Sequence, residues 1–128
     1  MCERLEFELP VGPSAPSQAR RAVREITTLP DGTRADALLL VSELVTNAVI
    51  HAERSAADTV RLTLRPDADR LLVEVDDRGA LTNRRRGISA GKVRTDTPGA
   101  GLGLKIVERL AEHWEVHGSR VSATLRYH

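Results

Sequence analysis

Aromatic residues are almost missing from this sequence, whose 128 residues include one Phe, one Trp and one Tyr. Aliphatic side chains must therefore build nearly all of the hydrophobic core, and apolar residues at 41% of the chain are sufficient for that. Few rings are available to stack on nucleic-acid bases, which disfavours binding to single strands. The length predicts one domain, covering residues 1–128.

Charge of either sign is not in excess, because 19 basic and 18 acidic residues leave a net charge of +1. A chain so balanced has no overall field that would attract nucleic acid or acidic lipid, so neither is expected as a direct partner. The local basic run Arg84-Arg85-Arg86 is typical of a solvated loop.

The lone cysteine, Cys2, has no second thiol with which to form an internal disulfide, which fits a reducing compartment. No apolar segment typical of a signal peptide accompanies it, and no uninterrupted apolar run approaches the ~20 residues of a membrane span. His113 and His117 lack a third ligand and the His-Glu-x-x-His pattern, so they do not indicate a zinc site. We expect a soluble cytoplasmic protein without membrane association.

Hydrophobic periodicity predicts the element order β-α-α-β-β-lid-α-β-β. Alternating residues predict five strands, at 3–9, 59–65, 70–76, 113–117 and 120–127. Helical spacing predicts three helices, from Ser14 or Ser17 to about Leu29, from 34 to 53, and from 102 to 112. The fold class is α/β (α+β): a two-layer sandwich with a mixed, mostly antiparallel sheet and three helices on one face. Residues at about 80–98, rich in glycine and charge, are expected to form a lid.

Two polar residues lie four positions apart on the second predicted helix, Glu43 and Asn47, with His51 four further on. Residues at this spacing share one helix face, here at the edge of an apolar stripe. A carboxylate there can orient or deprotonate an attacking hydroxyl, and an amide oxygen suits Mg²⁺. An exposed helix flank is the ordinary interpretation of such a pair on its own.

An acidic residue, Asp77, follows the third predicted strand and precedes Gly79 by two positions. A carboxylate at a strand end can accept a hydrogen bond from an exocyclic amine such as that of adenine. A nearby glycine lets a flat ring approach the backbone. Taken alone, Asp-x-Gly is also common in ordinary turns.

Three glycines at alternate positions, Gly99, Gly101 and Gly103, open the third predicted helix. Exposed backbone N–H groups at a helix N-terminus suit a phosphate, and Lys105 in the first turn could reach one. The spacing is neither that of a dinucleotide fingerprint nor that of a P-loop. A flexible loop before a helix, with a solvated lysine, remains the alternative.

The order of these signals resembles that of the Bergerat-fold (GHKL) ATPases, the superfamily of gyrase, Hsp90, histidine kinases and MutL. The pattern Glu-x-x-x-Asn-Ala-x-x-His at 43–51 resembles its N box. The pattern Asp-x-Gly at 77–79 is similar to its G1 box, and Gly-x-Gly-Leu-Gly-Leu-x-Ile-Val at 99–107 is similar to its G2 box. The small size and the run at 42–51 resemble anti-sigma-factor serine/threonine kinases of the actinobacterial stand-alone type.

The resemblance implies a Bergerat fold with ATP and Mg²⁺ as cofactors. It implies that Glu43 is the catalytic base, that Asn47 ligates Mg²⁺ and that Asp77 reads adenine. The further cofactor-binding residues that it implies are His51, Gly79, Gly99, Gly101, Leu102, Gly103, Leu104 and Lys105.

The resemblance also implies a function, namely an ATP- and Mg²⁺-dependent serine/threonine protein kinase that regulates transcription by partner switching. Such a protein phosphorylates a small anti-sigma antagonist of the STAS type and binds a sigma factor, and a homodimer is compatible with it. The alternative is a binding module that uses ATP as a structural ligand and sequesters a partner without phosphoryl transfer. A histidine-kinase fragment is a weaker alternative, because the chain has no room for a helix pair carrying a phospho-acceptor histidine.

Two positions depart from the family pattern. Leu81 stands where the G1 box often has a second glycine. The family often has a threonine near the start of the last strand, after a glycine that corresponds to Gly118, and here the Arg-Val pair 120–121 falls near that place. Ser122 and Thr124 lie on the same strand in an unassigned register. These departures favour the binding module, whereas the intact catalytic carboxylate favours the kinase.

Overall fold

The computed structural model describes residues 4–54, 58–77 and 101–128. Its strands are β1 (Leu5–Pro10), β2 (Thr59–Pro66), β3 (Arg70–Asp76), β4 (His113–His117) and β5 (Arg120–Arg126). Its helices are α1 (Ala15–Arg24), α2 (Asp31–Arg54) and α3 (Gly101–Leu110). All five strands and all three helices of the sequence analysis are therefore found in the predicted order.

The strands form one sheet in the order β1-β2-β3-β5-β4, and each neighbouring pair within the described residues is antiparallel. Helix α2 is central, because it contacts β2, β3 and β5 as well as the two other helices. The predicted two-layer α+β class is confirmed. No parallel pair of the expected mixed sheet occurs in the part of the chain that the structure describes.

Apolar residues alternate along the strands, and the register brings them onto one face of the sheet. Leu62 of β2 lies opposite Val75 of β3. Val73 lies opposite both Leu64 and Ala123. Since successive side chains of a strand point to opposite faces, this register separates an apolar face from a polar one. The largest fully buried strand side chains are Leu62, Leu64, Leu71, Leu125, Val60, Val73 and Val75.

Helix α2 buries one long apolar stripe in the same core. The buried members of the stripe include Ala37, Leu40, Val41, Leu44, Val45, Ala48, Val49 and Ala52. The segment Asp31–Ala52 is long and apolar enough to cross a membrane by length and composition alone. In this fold its apolar side chains pack in the core, as those of a central helix in a globular domain do.

The end of α1 differs from the prediction, because the helix stops at Arg24 and not near Leu29. The guanidinium of Arg34 donates hydrogen bonds from Nη2 to the carbonyl oxygens of Ile26, at 3.2 Å, and Thr27, at 3.5 Å. These carbonyl groups are thus satisfied by a side chain of α2, so the backbone can leave the helix without losing hydrogen bonds.

The start of α2 also differs from the prediction, because the helix begins at Asp31 and not near residue 34. The backbone N–H of Arg34 donates to the carbonyl of Pro30 at 2.8 Å, which closes the first turn. An acidic residue in that turn interacts favourably with the helix dipole. Position 32 has no room for a side chain, because a Cβ atom there would lie 2.9 Å from the ring of His128.

Glu112, between α3 and β4, joins the start of β3 to the end of β5. Its Oε1 accepts a hydrogen bond from Nε of Arg70 at 2.8 Å, and its Oε2 accepts one from Nε of Arg126 at 2.9 Å. These two hydrogen bonds, chiefly that from Arg70, lower the pKa of the Glu112 carboxyl below its ordinary value. A carboxyl whose pKa is lower in the folded state stabilises the fold above the unfolded-state value, and this contribution is lost as the pH falls through the folded-state value.

We therefore expect Glu112→Gln to lower the melting temperature at neutral pH, and the difference from wild type to shrink in strongly acidic buffer. Thermal denaturation across the acidic range measures this. Because the carboxyl is exposed, the effect should be modest. Glu108→Gln, on the exposed side of α3, is the matched control and should change the melting temperature less at neutral pH. An equal loss for Glu112→Gln at every pH would contradict the assignment.

Candidate functional site

Glu43, Asn47 and His51 follow one another at intervals of four along α2, so they line one side of the helix. Glu43 and Asn47 are half-buried, and the side chain of His51 is 23% exposed. The three residues form what we call the α2 polar stripe. They lie beside the apolar residues that face the sheet, which confirms the position predicted for them at the edge of the core.

The Asn47 side chain carries a buried polar atom that the fold does not use. Its Nδ2 is inaccessible and has no hydrogen-bond partner within the described residues. A buried amide without a partner costs free energy, so such atoms commonly mark a position that a ligand satisfies. Rotation of the amide exchanges its nitrogen and oxygen, so the same side chain can present an oxygen to a cation. Asn47 thus fits the role of a Mg²⁺ or phosphate ligand.

Asp77 lies one residue past the end of β3 and continues the core-facing phase of that strand. Residues Leu71, Val73 and Val75 are buried on that face, and Asp77 is only 1% exposed. Its backbone N–H donates to the carbonyl oxygen of Ser119 at 3.1 Å, which extends the β3–β5 pairing by one residue. The carboxylate is therefore fixed on the helix side of the sheet, where α2 lies.

Ser119 is a site-supporting residue that the sequence analysis missed. Its hydroxyl donates to Oδ1 of Asp76 at 2.6 Å while its carbonyl accepts from the backbone of Asp77. Ser119 occupies the two-residue turn between β4 and β5, and Gly118 supplies the φ of +61° that such a turn needs. The sequence signal was the Gly-Ser pair between two short alternating runs.

The sheet register also assigns the polar residues of the final strand, β5, to one face of the sheet. Ser122 lies opposite Glu74, and Thr124 lies opposite Leu72, so both belong to the polar phase of the sheet. Arg120 lies opposite Asp76 in the same phase. None of these side chains is on the side of Asp77, and Ser119 contacts Asp77 only through its backbone carbonyl, since its hydroxyl bonds Asp76.

The two halves of the site meet through His51 and Asp77. Nδ1 of His51 lies 3.8 Å from Oδ2 of Asp77, an ion-pair distance that is too long for a hydrogen bond. The contact joins the C-terminal end of the α2 polar stripe to the end of β3. The structure thus places side by side two motifs that are 26 positions apart in the chain, counted from residue 51 to residue 77.

The third motif is described only in part. Helix α3 begins at Gly101, so Gly101, Leu102, Gly103 and Leu104 form its first turn, and Lys105 is exposed. Helix α3 contacts α2, which brings its axis beside that of the helix carrying the polar stripe. Gly79, Gly99, Leu81, Arg84–Arg86 and the lid expected at about 80–98 lie outside the described residues.

A family model described as a histidine kinase-like ATPase domain matches residues 9–127. Among solved structures, a chain from the SiaB–SiaC complex of Pseudomonas aeruginosa is similar, with a TM-score of 0.60 and 15% identity. The alignment covers 95% of this chain and 88% of that one. The comparison with curated proteins gives no match.

Proposed function

The chain belongs to the histidine kinase-like ATPase domain family, and on that premise we propose that it is an ATP- and Mg²⁺-dependent serine/threonine protein kinase. We further propose that it regulates transcription by partner switching, in the manner of an anti-sigma-factor kinase. The observation that carries the nucleotide part is the buried Asp77 carboxylate beside the α2 polar stripe. A carboxylate at the strand end, and an amide and a second carboxylate along the neighbouring side of α2, match the three tasks of such a site.

Each residue has a distinct task in this proposal. Asp77 accepts a hydrogen bond from the exocyclic amine of adenine, because an ionised carboxylate is only an acceptor. Asn47 offers its amide oxygen to Mg²⁺, and Glu43, one helical turn earlier, accepts the proton of the incoming serine hydroxyl. ATP supplies the phosphoryl group when bound, with Mg²⁺ neutralising its charge. The chain contributes orientation and proton acceptance, which phosphoryl transfer chiefly requires.

A protein partner is proposed on separate grounds. The similar fold in the SiaB–SiaC complex occurs in an assembly of two different proteins, which supports a partner for this chain as well. We propose a sigma factor and a STAS-type antagonist. Arg21 and Arg24 of α1 are exposed and available to a partner, whereas Arg20 donates from Nη1 to Oγ of Ser42 at 2.8 Å and so joins α1 to α2.

Phosphoryl transfer is the direct test. The protein is incubated with labelled ATP, Mg²⁺ and each small antagonist encoded by the same genome, and label on an antagonist serine is the expected result. Binding of a sigma factor only in the presence of ATP, with no label on any antagonist, would contradict the kinase and leave the sequestering module.

We expect Asp77→Asn to weaken ATP binding by about 1–3 kcal/mol, the range for losing the charge of a charge-assisted hydrogen bond at a buried site. Isothermal titration calorimetry measures the affinity. Asp76→Asn is the matched control, since Asp76 is the preceding residue and points to the opposite face of the sheet. Equal losses in the two variants, or no loss in Asp77→Asn, would remove Asp77 from the base-binding position.

A further inference from the structure

His128, just past the end of β5, is bound to the first two turns of α2 through its backbone and its side chain. Its backbone N–H donates to Oγ1 of Thr33 at 2.8 Å, and the Thr33 hydroxyl donates to the His128 carbonyl oxygen at 3.4 Å. Nε2 of the imidazole lies 2.7 Å from Oδ2 of Asp36. Thr33 is fully buried, so the backbone of residue 128 is held against the interior of the fold.

The imidazole of His128 fills the space that a side chain at position 32 would need. A Cβ atom on Gly32 would lie 2.9 Å from both Cε1 and Nδ1 of the ring. Asp36 is four residues further along α2, so it lies on the same side of the helix as Gly32. The ring thus spans one helical turn, with one edge on Gly32 and Nε2 at the carboxylate.

Asp36 is the carboxylate of these two turns that the imidazole contacts. Asp31, the other acidic residue of the two turns, is paired with Arg34 at 3.3 Å. The side chains of Asp36 and His128 are 30% and 61% exposed, so both can exchange protons with solvent.

The charged side chains at the neighbouring end of the sheet bind one another. Arg70 contacts both Asp69 and Glu112, and Arg126 contacts Glu112 as well. The turn between β2 and β3 approaches the segment after β5 through a backbone group, because the carbonyl oxygen of Asp69 accepts from the N–H of Tyr127 at 2.9 Å. These pairs balance the charges of the sheet end close to where they arise.

Protonation of an imidazole changes how strongly it binds a carboxylate. A neutral ring with its hydrogen on Nε2 donates one hydrogen bond, whereas an imidazolium donates the same bond and adds a positive charge. An imidazole ordinarily changes its charge between about pH 5 and pH 8, a range in which an aspartate is ionised. The contact between His128 and Asp36 is therefore strongest in mildly acidic solution. It weakens as the pH rises and the ring loses its charge.

We propose that His128 and Asp36 form a pH-sensitive clasp, which holds the start of α2 on the end of the sheet and tightens when the imidazole takes up a proton. The end of a helix opens more readily than its middle, because its terminal backbone groups lack partners within the helix. The clasp sets how readily the first turns of α2 open. Neither residue belongs to the α2 polar stripe, so this inference is independent of the proposed nucleotide binding.

Hydrogen exchange of peptides covering residues 31–38, followed by mass spectrometry of the full chain, tests the clasp. It is measured at about pH 5.5 and about pH 8.5, on either side of the range in which an imidazole titrates. Wild type is compared at each pH with His128→Gln, which keeps a donor but has no titrating charge, so the intrinsic pH dependence of exchange cancels. Wild type should exchange about two- to fivefold more slowly than the variant at the lower pH, and nearly equally at the higher pH.

Asp36→Asn removes the other charge and should show the same pattern against wild type. His113→Gln is the control histidine, exposed on β4, and should exchange like wild type in these peptides at both pH values. A difference between wild type and His128→Gln that is the same at both pH values would indicate a hydrogen bond without a charge, and would overturn the proposal. Equal exchange of the two proteins at the lower pH, or an equal effect of the control, would overturn it as well.

Discussion

Replacing Glu43 with alanine is expected to slow phosphoryl transfer to a partner serine by about 10²–10⁴-fold, the usual range for losing a positioned general base. ATP affinity should change little, because Glu43 contacts neither the base nor the metal in the proposed arrangement. The residue is half-buried one helical turn before Asn47, on the same side of the helix, where the proposed arrangement puts the transferred phosphate. Single-turnover kinetics with a saturating antagonist isolate the transfer step.

Asn47→Ala is the control that separates the two tasks of the α2 polar stripe. Losing a metal ligand should reduce both the Mg²⁺-dependent ATP affinity and the rate, whereas Glu43→Ala should reduce the rate alone. Partner binding should survive in Glu43→Ala if the partner contacts the exposed arginines of α1. An unchanged transfer rate in Glu43→Ala would show that this carboxylate is not the base.

Of the substitutions proposed for this protein, Leu62→Ala should lower the free energy of unfolding most, by about 2–5 kcal/mol. Leu62 is fully buried in the second strand of the sheet, opposite Val75 on one side and Phe7 on the other. Removing its side chain leaves a cavity among aliphatic neighbours, and the sheet can close it only in part. Chemical denaturation followed by circular dichroism measures the change.

Leu39→Ala is the matched control, because Leu39 is 45% exposed on the outer side of α2. The same chemical truncation should cost well under half as much there, since less apolar surface returns to water. Comparable losses at the two positions would mean that the core is not arranged as described. With few aromatic residues in the chain, the aliphatic residues of β2 and β3 carry this stability.

The sequence predicted the elements well where periodicity was strong and poorly where two signals competed. The strands at 59–66 and 70–76 alternate cleanly, so they were placed within one residue. The start of α2 was misplaced because Pro30 and Asp31 favour both a turn and a helix N-terminus. The segment after the early end of α1 is held by Arg34, whose hydrogen bonds to carbonyl groups eight and seven residues earlier leave no periodic signal.

In the candidate site, too, some features could be predicted from the sequence and others could not. Spacing alone predicted that Glu43, Asn47 and His51 share one side of a helix, and the structure confirms it. Which strand end faces that helix depends on the sheet register, so the contact of His51 with Asp77 could not be predicted, whereas the turn that holds Ser119 had a signal in the Gly-Ser pair. The glycines at 79 and 99 and the lid stay predictions, because they lie outside the described residues.

The neighbouring aspartates at the end of β3 carry a constraint on how this protein can evolve. Asp76 and Asp77 point to opposite faces of the sheet, one toward Ser119 on the polar face and the other into the core side. A deletion or insertion of one residue within β3 would exchange their faces and move the carboxylate that we propose to read the base to the polar face. Insertions and deletions should therefore be tolerated in the 67–69 turn, where exposed residues join β2 and β3. The same changes within β3 should abolish nucleotide binding.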